Sequence, residues 1–366
     1  MKIEKIPISA VPPPLKPHSV KPSADQALDP LHLHQPNKGL TERTLFHEPW
    51  WLDATTDSNW EAAIVKTGNE TIAEMPYSVT KKSRLWRVSY LPPLTRTLGP
   101  IIRRQAANAG GSDWLHRLDV TRQLIAQLPD CAHFHQLADP CASNAEAAAF
   151  RLAGYNVSVQ FTLRLSPDAD EESAWSRLRW NTRNRIRRSS ERFLVQEIEK
   201  VDTFVDFYDA NLSARRLENE YGSEVMRRVL REVSARRAGT IIGSFDHDGS
   251  LCAATALVWD RFNLYYLLTT RQATSHSGAV ALLVWEAMKI ARERKLDLDF
   301  DGTSTAGILQ FLAGFGGRLI HRYQFEKIGA VFAICRGIRS RSRERATRRS
   351  EPSKSERSSA TNRTHS

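Results

Sequence analysis

Cysteine is scarce in this chain of 366 residues and is not placed for metal or redox chemistry. Cys131, Cys141, Cys252 and Cys335 form no CxxC pair and have no histidine at zinc-finger spacing, which argues against both a structural zinc and a disulfide framework. No GxSxG elbow of the serine-hydrolase type occurs. His133 and His135 fall on one face of a short strand, with His116 upstream, a weak basis for a metal site. The longest apolar run, Gly278 to Trp285, is far short of the ~20 residues that cross a bilayer, and no apolar segment follows Met1-Lys2. A cytoplasmic protein without metal is the expectation.

Aliphatic residues are missing from the two ends. From Arg336 to Ser366 there are ten Lys/Arg against three Glu, so most of the formal charge of +11 sits there, and beyond Ile338 only Ala346 and Ala360 are aliphatic. Such a segment buries too little surface to offset the entropy of ordering it. Residues 1–40 carry Pro12-Pro13-Pro14 and five further prolines, which remove backbone donors. Both segments are expected to be disordered tails, 1–40 and 336–366. What lies between exceeds the roughly 250 residues at which single cores stop growing, so two domains are expected, 41–165 and 193–335, joined by a basic helix over 166–192.

Periodicity outlines the elements. In "YNVSVQFTLRL" Val157, Val159, Phe161, Leu163 and Leu165 share one strand face. "AWSRLRWNTRNRIRRSSERF" reads as one helix, with Arg183 and Arg187 among six arginines around a narrow apolar stripe. From Phe193 the order is β-α-α-β-β-β-α-β-α-β, with a three-strand meander between a helix pair and a crossover helix. The first half repeats part of it, "WEAAIVKT", "ETIAEMPYSV", "LWRVSYL", then helix, strand, helix and strand. A structural duplication is the economical reading.

With "SHSGAVALLVWEAMKIA", "LDFDGTSTAGILQFLAGFGG" and "YQFEKI" in that order, the chain from about Leu40 to Ile328 resembles the GNAT acyltransferase superfamily. The likeness is to its tandem-domain members akin to the Fem peptidoglycan-bridge aminoacyltransferases and the CelD-like acyltransferases. "PLTRTLGP" and "LRWNTRNRIRRS" look like that group as well. The resemblance implies an α/β (α+β) fold of two GNAT-like domains, each a mixed, mostly antiparallel sheet flanked by helices. It also implies acyl-CoA as a co-substrate with no permanently bound cofactor. One departure stands out: the superfamily's Gln/Arg-x-x-Gly-x-Gly/Ala loop survives only as Gly278-Ala279, with Arg271 and Gln272 too far upstream.

The candidate site residues follow. A helix start leaves backbone N–H groups without partners and carries partial positive charge, so Gly278 and Ala279 leave room for a diphosphate, Ser275 and Ser277 can cap or donate, and Arg271 can add a charged contact. The bland alternative is an ordinary N-cap. "LDLDFDGTS" puts Asp297, Asp299 and Asp301 on one strand face; Asp301, with Asp299 beside it, is the candidate for orienting a nucleophile or taking its proton. Of Tyr265 and Tyr266, facing opposite sides, Tyr266 is the candidate phenol that GNAT-like sites use toward a leaving thiolate; two strand tyrosines are otherwise core residues. Thr95, Arg96 and Thr97, on a loop stiffened by Pro92 and Pro93, are acceptor-side candidates. So are Arg183 and Arg187, whose guanidinium groups suit phosphate.

The expected activity is transfer of an acyl group from acyl-CoA to an amine or hydroxyl of a cell-envelope or exopolysaccharide precursor, an anionic glycan or peptide, free or lipid-linked. Two alternatives stay open: an aminoacyl-tRNA donor, and a non-catalytic module binding RNA or an anionic membrane surface, which the basic tail would also contact weakly.

Overall fold

The computed structural model describes residues 43–103, 113–275, 278–302 and 305–336. Residues 1–40, 337–366 and Ser277, all named above, lie outside the described residues.

A 3-10 turn at Leu45–His47 leads into α1 (Pro49–Thr56), where Pro49 takes the first helical position and needs no amide donor. β1 (Glu61–Thr67) and β2 (Glu70–Tyr77) form a hairpin around Gly68, whose φ of +59° is the conformation a tight hairpin turn demands and glycine supplies. The first half continues through β3 (Val79–Lys82), β4 (Trp86–Ser89), β5 (Ile101–Ile102), α2 (Asp113–Ile125), β6 (His133–Leu137), α3 (Asn144–Leu152) and β7 (Asn156–Leu165). After α4 (Glu171–Arg177) and α5 (Trp180–Ser190) come β8 (Phe193–Glu197), α6 (Val201–Ser213), α7 (Ser223–Ala235), β9 (Gly239–Asp246), β10 (Leu251–Trp259) and β11 (Asn263–Arg271). The chain then runs through α8 (Gly278–Arg294), β12 (Asp297–Gly302), α9 (Ala306–Leu312) and β13 (Arg318–Ile328).

The expected connecting helix is in fact two, and the break has a tertiary cause. Leu178 is extended (φ −61°, ψ 141°) and buried, and the Arg179 amide donates to the Gly314 carbonyl at 2.9 Å. Burying a leucine is worth roughly 1.5–3 kcal/mol, more than the fraction of a kcal/mol by which propensity favours continuing the helix.

β1, β2 and β5 make a small sheet, and ten strands make a large one in the order β3-β4-β6-β13-β7-β12-β11-β10-β9-β8. Among the described strands only β4·β6 and β11·β12 pair in parallel. The order is symmetric about the centre. β4-β6-β13 on one side answers β11-β12-β7 on the other, with α2 and α3 in the places of α8 and α9, so the duplicated element order of the sequence is a duplicated structure. The symmetry includes an exchange. β7, the last strand of the first half, pairs with β12, and β13, the last of the second, pairs with β6, so the halves share one sheet and one compact unit.

Each half has its own core on the same side of that sheet. α8 covers Leu264, Leu298 and Phe300 with Leu283 and Trp285, joined there by Leu163 and Leu165, while Phe134, Phe150, Val157 and Phe325 pack in the first half. Between the two cores Val159 and Phe161 remain 47% exposed, so the apolar face that alternation assigns to β7 is buried only at its ends.

Candidate active site

Two strands part where the chemistry-bearing residues gather. β11 and β12 pair only at Asn263↔Asp297, Leu264↔Leu298 and Tyr265↔Asp299. Beyond that point β11 takes a bulge: Tyr266 stands opposite Leu257 and Leu268 opposite Ala256, leaving Leu267 as the extra residue. A bulge bends its strand and ends regular pairing, which opens a wedge between β11 and β12.

Asp301 stands at the mouth of that wedge with positive φ (+60°). Arg96 Nε lies 3.0 Å from its Oδ2, and Arg322 Nη1 donates to its Oδ1 at 3.0 Å. Arg96 also donates through Nη2 to the Leu267 carbonyl and through Nη1 to the Tyr221 hydroxyl at 3.4 Å. One guanidinium from the first half therefore bridges both lips of the wedge in the second. Burial alone would depress the Arg96 pKa; the Asp301 carboxylate and Tyr221 outweigh it, and the net shift is upward. The end of its loop is held by Leu98 N to Leu137 O (2.8 Å) and by the buried His47, whose Nε2 is 3.2 Å from the Gly99 carbonyl.

Asp299 is buried and its carboxylate is fully engaged. Oδ1 accepts from the Thr162 hydroxyl (2.5 Å) and from the Asp301 amide (2.8 Å), while Oδ2 accepts from Arg164 Nε (3.1 Å) and Nη2 (2.8 Å). Of the three aspartates that sequence alternation puts on one face, Asp299 and Asp301 thus meet arginines from β7, β13 and the Arg96 loop, which offsets their mutual repulsion. Burial would lower the Arg164 pKa, but Asp299 and Asp139 raise it. Asp139, at the end of β6, is itself pushed up by burial.

At the start of α8, Gly278 and Ala279 are buried, and the Ala279 carbonyl accepts from the Ser244 hydroxyl at 3.0 Å. Arg271 Nη1 donates to the carbonyls of Ser275 (3.0 Å) and Gln272 (3.4 Å), tying down the turn that precedes the helix. The Ser275 hydroxyl oxygen is buried and has no hydrogen-bond partner among the described residues.

Other predicted residues fall elsewhere. Thr95 is buried and accepts from Trp51 Nε1 (3.0 Å), and Thr97 is buried, so of that trio Arg96 is the residue the structure brings to the wedge. Tyr266 lies on the opposite sheet face from Asp299 and Asp301, against Phe300 in the α8 core, with its pKa pushed by burial up to about 12. Arg183 is half-buried and Arg187 exposed over the Trp175 ring. Both belong to α5, which packs on α8 and so lies on the face away from Asp299. Sequence reading missed Thr162, Arg164, Arg322, Asp139 and Tyr221. The signal was present in part, since Arg164 sits mid-strand between buried Leu163 and Leu165, and a charge there needs a partner.

A family model described as an acetyltransferase (GNAT) domain matches residues 176–306. No curated protein matches. Among solved structures, FemX aligns with a TM-score of 0.60 at 12% identity, over 78% of this chain and 92% of that one. A putative lysylphosphatidylglycerol synthetase C-terminal domain from Agrobacterium fabrum gives 0.47 at 13% (76% and 87%), and a tandem GNAT protein from the clavulanic acid biosynthesis pathway 0.43 at 10% (74% and 83%). At such identities the FemX likeness speaks for the fold, and the domain match covers the strands that form the wedge and the helix between them. Residues 176–306 are thus similar to a GNAT acetyltransferase domain, within a fold like that of FemX.

Proposed function

We propose that this protein moves an acyl group from acyl-CoA to an amine or hydroxyl of an anionic cell-envelope or exopolysaccharide precursor. The observation that carries this reading is the wedge between β11 and β12, with a bulge on one lip and an arginine-held carboxylate on the other. A thioester lying along the freed edge of β11 would find backbone donors there, and the diphosphate of its carrier would meet the start of α8.

The reaction is direct attack. The nitrogen or oxygen of the acceptor bonds to the thioester carbonyl carbon, the oxyanion is held by backbone N–H groups near Leu267, the C–S bond breaks, and the departing sulfur receives the proton that the acceptor loses. Asp301 orients the acceptor, and positioning supplies most of the rate. No covalent enzyme intermediate is needed.

Coenzyme A should raise the melting temperature of the full chain, by the equivalent of about 2.7 kcal/mol at a hundred times its dissociation constant. Gly278→Asp should abolish that increment by placing negative charge at the helix start. Because Gly278 is buried, the variant itself will be less stable, so the increment is read rather than the absolute temperature. Stabilisation by aminoacyl-tRNA and none by coenzyme A would replace the donor in this reading.

A further inference from the structure

We infer that Thr162 and Arg164 of β7 are positioning residues for acyl transfer, acting through Asp299 to hold Asp301 in the mouth of the wedge. This rests on the function proposed above and adds residues that neither the family motif nor the spacing of the aspartates singles out.

The argument begins with the backbone of Asp301. A non-glycine residue at φ +60° is strained unless its surroundings impose that conformation. Here both of its peptide groups are gripped. Its amide donates to Asp299 Oδ1 at 2.8 Å, and its carbonyl oxygen lies 2.9 Å from the Thr162 hydroxyl, whose one hydrogen it shares with Asp299 Oδ1. That hydroxyl stands within hydrogen-bonding distance of Asp299 Oδ1 too, at 2.5 Å, and Thr162 is fully buried. Thr162 is thus the common neighbour of both groups that set Asp301.

Arg164 completes the arrangement. Its two-pronged contact with Oδ2 fixes the plane of the Asp299 carboxylate, so that Oδ1 points along the strand toward the Asp301 amide. With all four contacts made, Asp299 has no lone pair directed at a substrate; it aligns its neighbour and touches no reacting atom. The source of the device is the exchanged strand. β7 belongs to the first half by sequence, lies beside β12 in the sheet, and pairs Asp299↔Arg164 and Gly302↔Thr162. The first half therefore sets the reactive geometry of the second.

The test uses the full chain with acetyl-CoA and glucosamine 6-phosphate, an anionic amino sugar, as probes. Thr162→Val keeps the shape and removes the hydroxyl; Thr162→Ser restores it; Arg164→Lys keeps the charge but not the two-pronged grip and serves if the valine variant does not fold. Thr162→Val should lose about tenfold or more in kcat, as misplacement by a fraction of an ångström does. The acetyl-CoA KM should stay within about twofold, and Thr162→Ser should recover most of the loss. Unchanged kcat in Thr162→Val overturns the inference. So does an equal fall in Thr162→Ser, which would mark a merely structural role. If the wild-type chain consumes no acetyl-CoA, the proposed function fails instead, and crystal structures of the variants decide this inference alone. Asp301 is expected to leave positive φ and to lose its Arg96 contact; an unmoved Asp301 overturns it.

Discussion

Replacing Glu48 by glutamine should change how stability depends on pH, and the structure sets both sign and size. Glu48 is buried at the N-cap of α1, next to the His47 that holds the Arg96 loop at Gly99. Burial pushes its pKa from 4.5 up to about 7, against a smaller opposite pull from Arg43. A raised folded pKa means that the folded protein keeps a proton that the unfolded chain releases. The contribution of Glu48 is therefore fully present below pH 4.5 and is lost as pH rises through about 7, by about 3 kcal/mol over the window. His47 acts in the other direction. Burial and Arg43 lower its pKa from 6.5 to about 3, so its contribution is present above pH 6.5 and falls by about 1.4 kcal/mol for each pH unit of acidification toward 3. Between 4.5 and 6.5 the two slopes oppose each other and the pair contributes almost no pH dependence. Urea denaturation across that window reads the difference directly. Wild type minus Glu48→Gln should decline as pH rises, and wild type minus His47→Gln should climb. A Glu48→Gln difference that stays constant with pH would refute the claim that this carboxyl is desolvated.

Arg96→Met removes the bridge across the wedge. It leaves Asp301 with Arg322 alone and the Leu267 carbonyl without its donor, so it should cost ~2–4 kcal/mol by urea denaturation. The same variant should lose acyl transfer more than donor binding, measured as kcat against the acetyl-CoA dissociation constant. Gly239→Ala would place a Cβ 2.4 Å from the Leu257 carbonyl oxygen and from Val233 Cγ1. Because a backbone atom is involved, it should cost at least ~1–3 kcal/mol with donor affinity per folded molecule unchanged.

Much of the fold was legible in the sequence because its periodicities are local. The hairpin at Gly68, the strand "LDLDFD" and the apolar body of α8 are recognisable from a few neighbouring residues, and their order exposed the duplication. The site was legible where a special conformation leaves a mark, as at Asp301 before Gly302. Legibility stopped where a neighbour distant in sequence decides. Continuous helical character through Leu178 gave way to the bond between Arg179 and Gly314. Alternation put Val159 and Phe161 on one strand face with Leu163 and Leu165, but among the described residues no helix lies over the seam between the halves, and both stay half exposed. Alternation sends Tyr265 and Tyr266 to opposite faces without saying which faces the aspartates: Tyr265 pairs across to Asp299 while Tyr266 turns into the α8 core.

By itself, then, the sequence determined that two similar α/β halves would form and that a row of aspartates would end a strand beside a small-residue helix start. Only the tertiary structure decided that β7 and β13 change places, that Arg164 and Arg322 face Asp299 and Asp301, and that Arg96 reaches across to Leu267. The physical reason is one of range. Propensity and periodicity act over a few residues, whereas a carboxylate taken from water must find its cation wherever the folded chain brings one, here 135 residues away for Asp299 and Arg164.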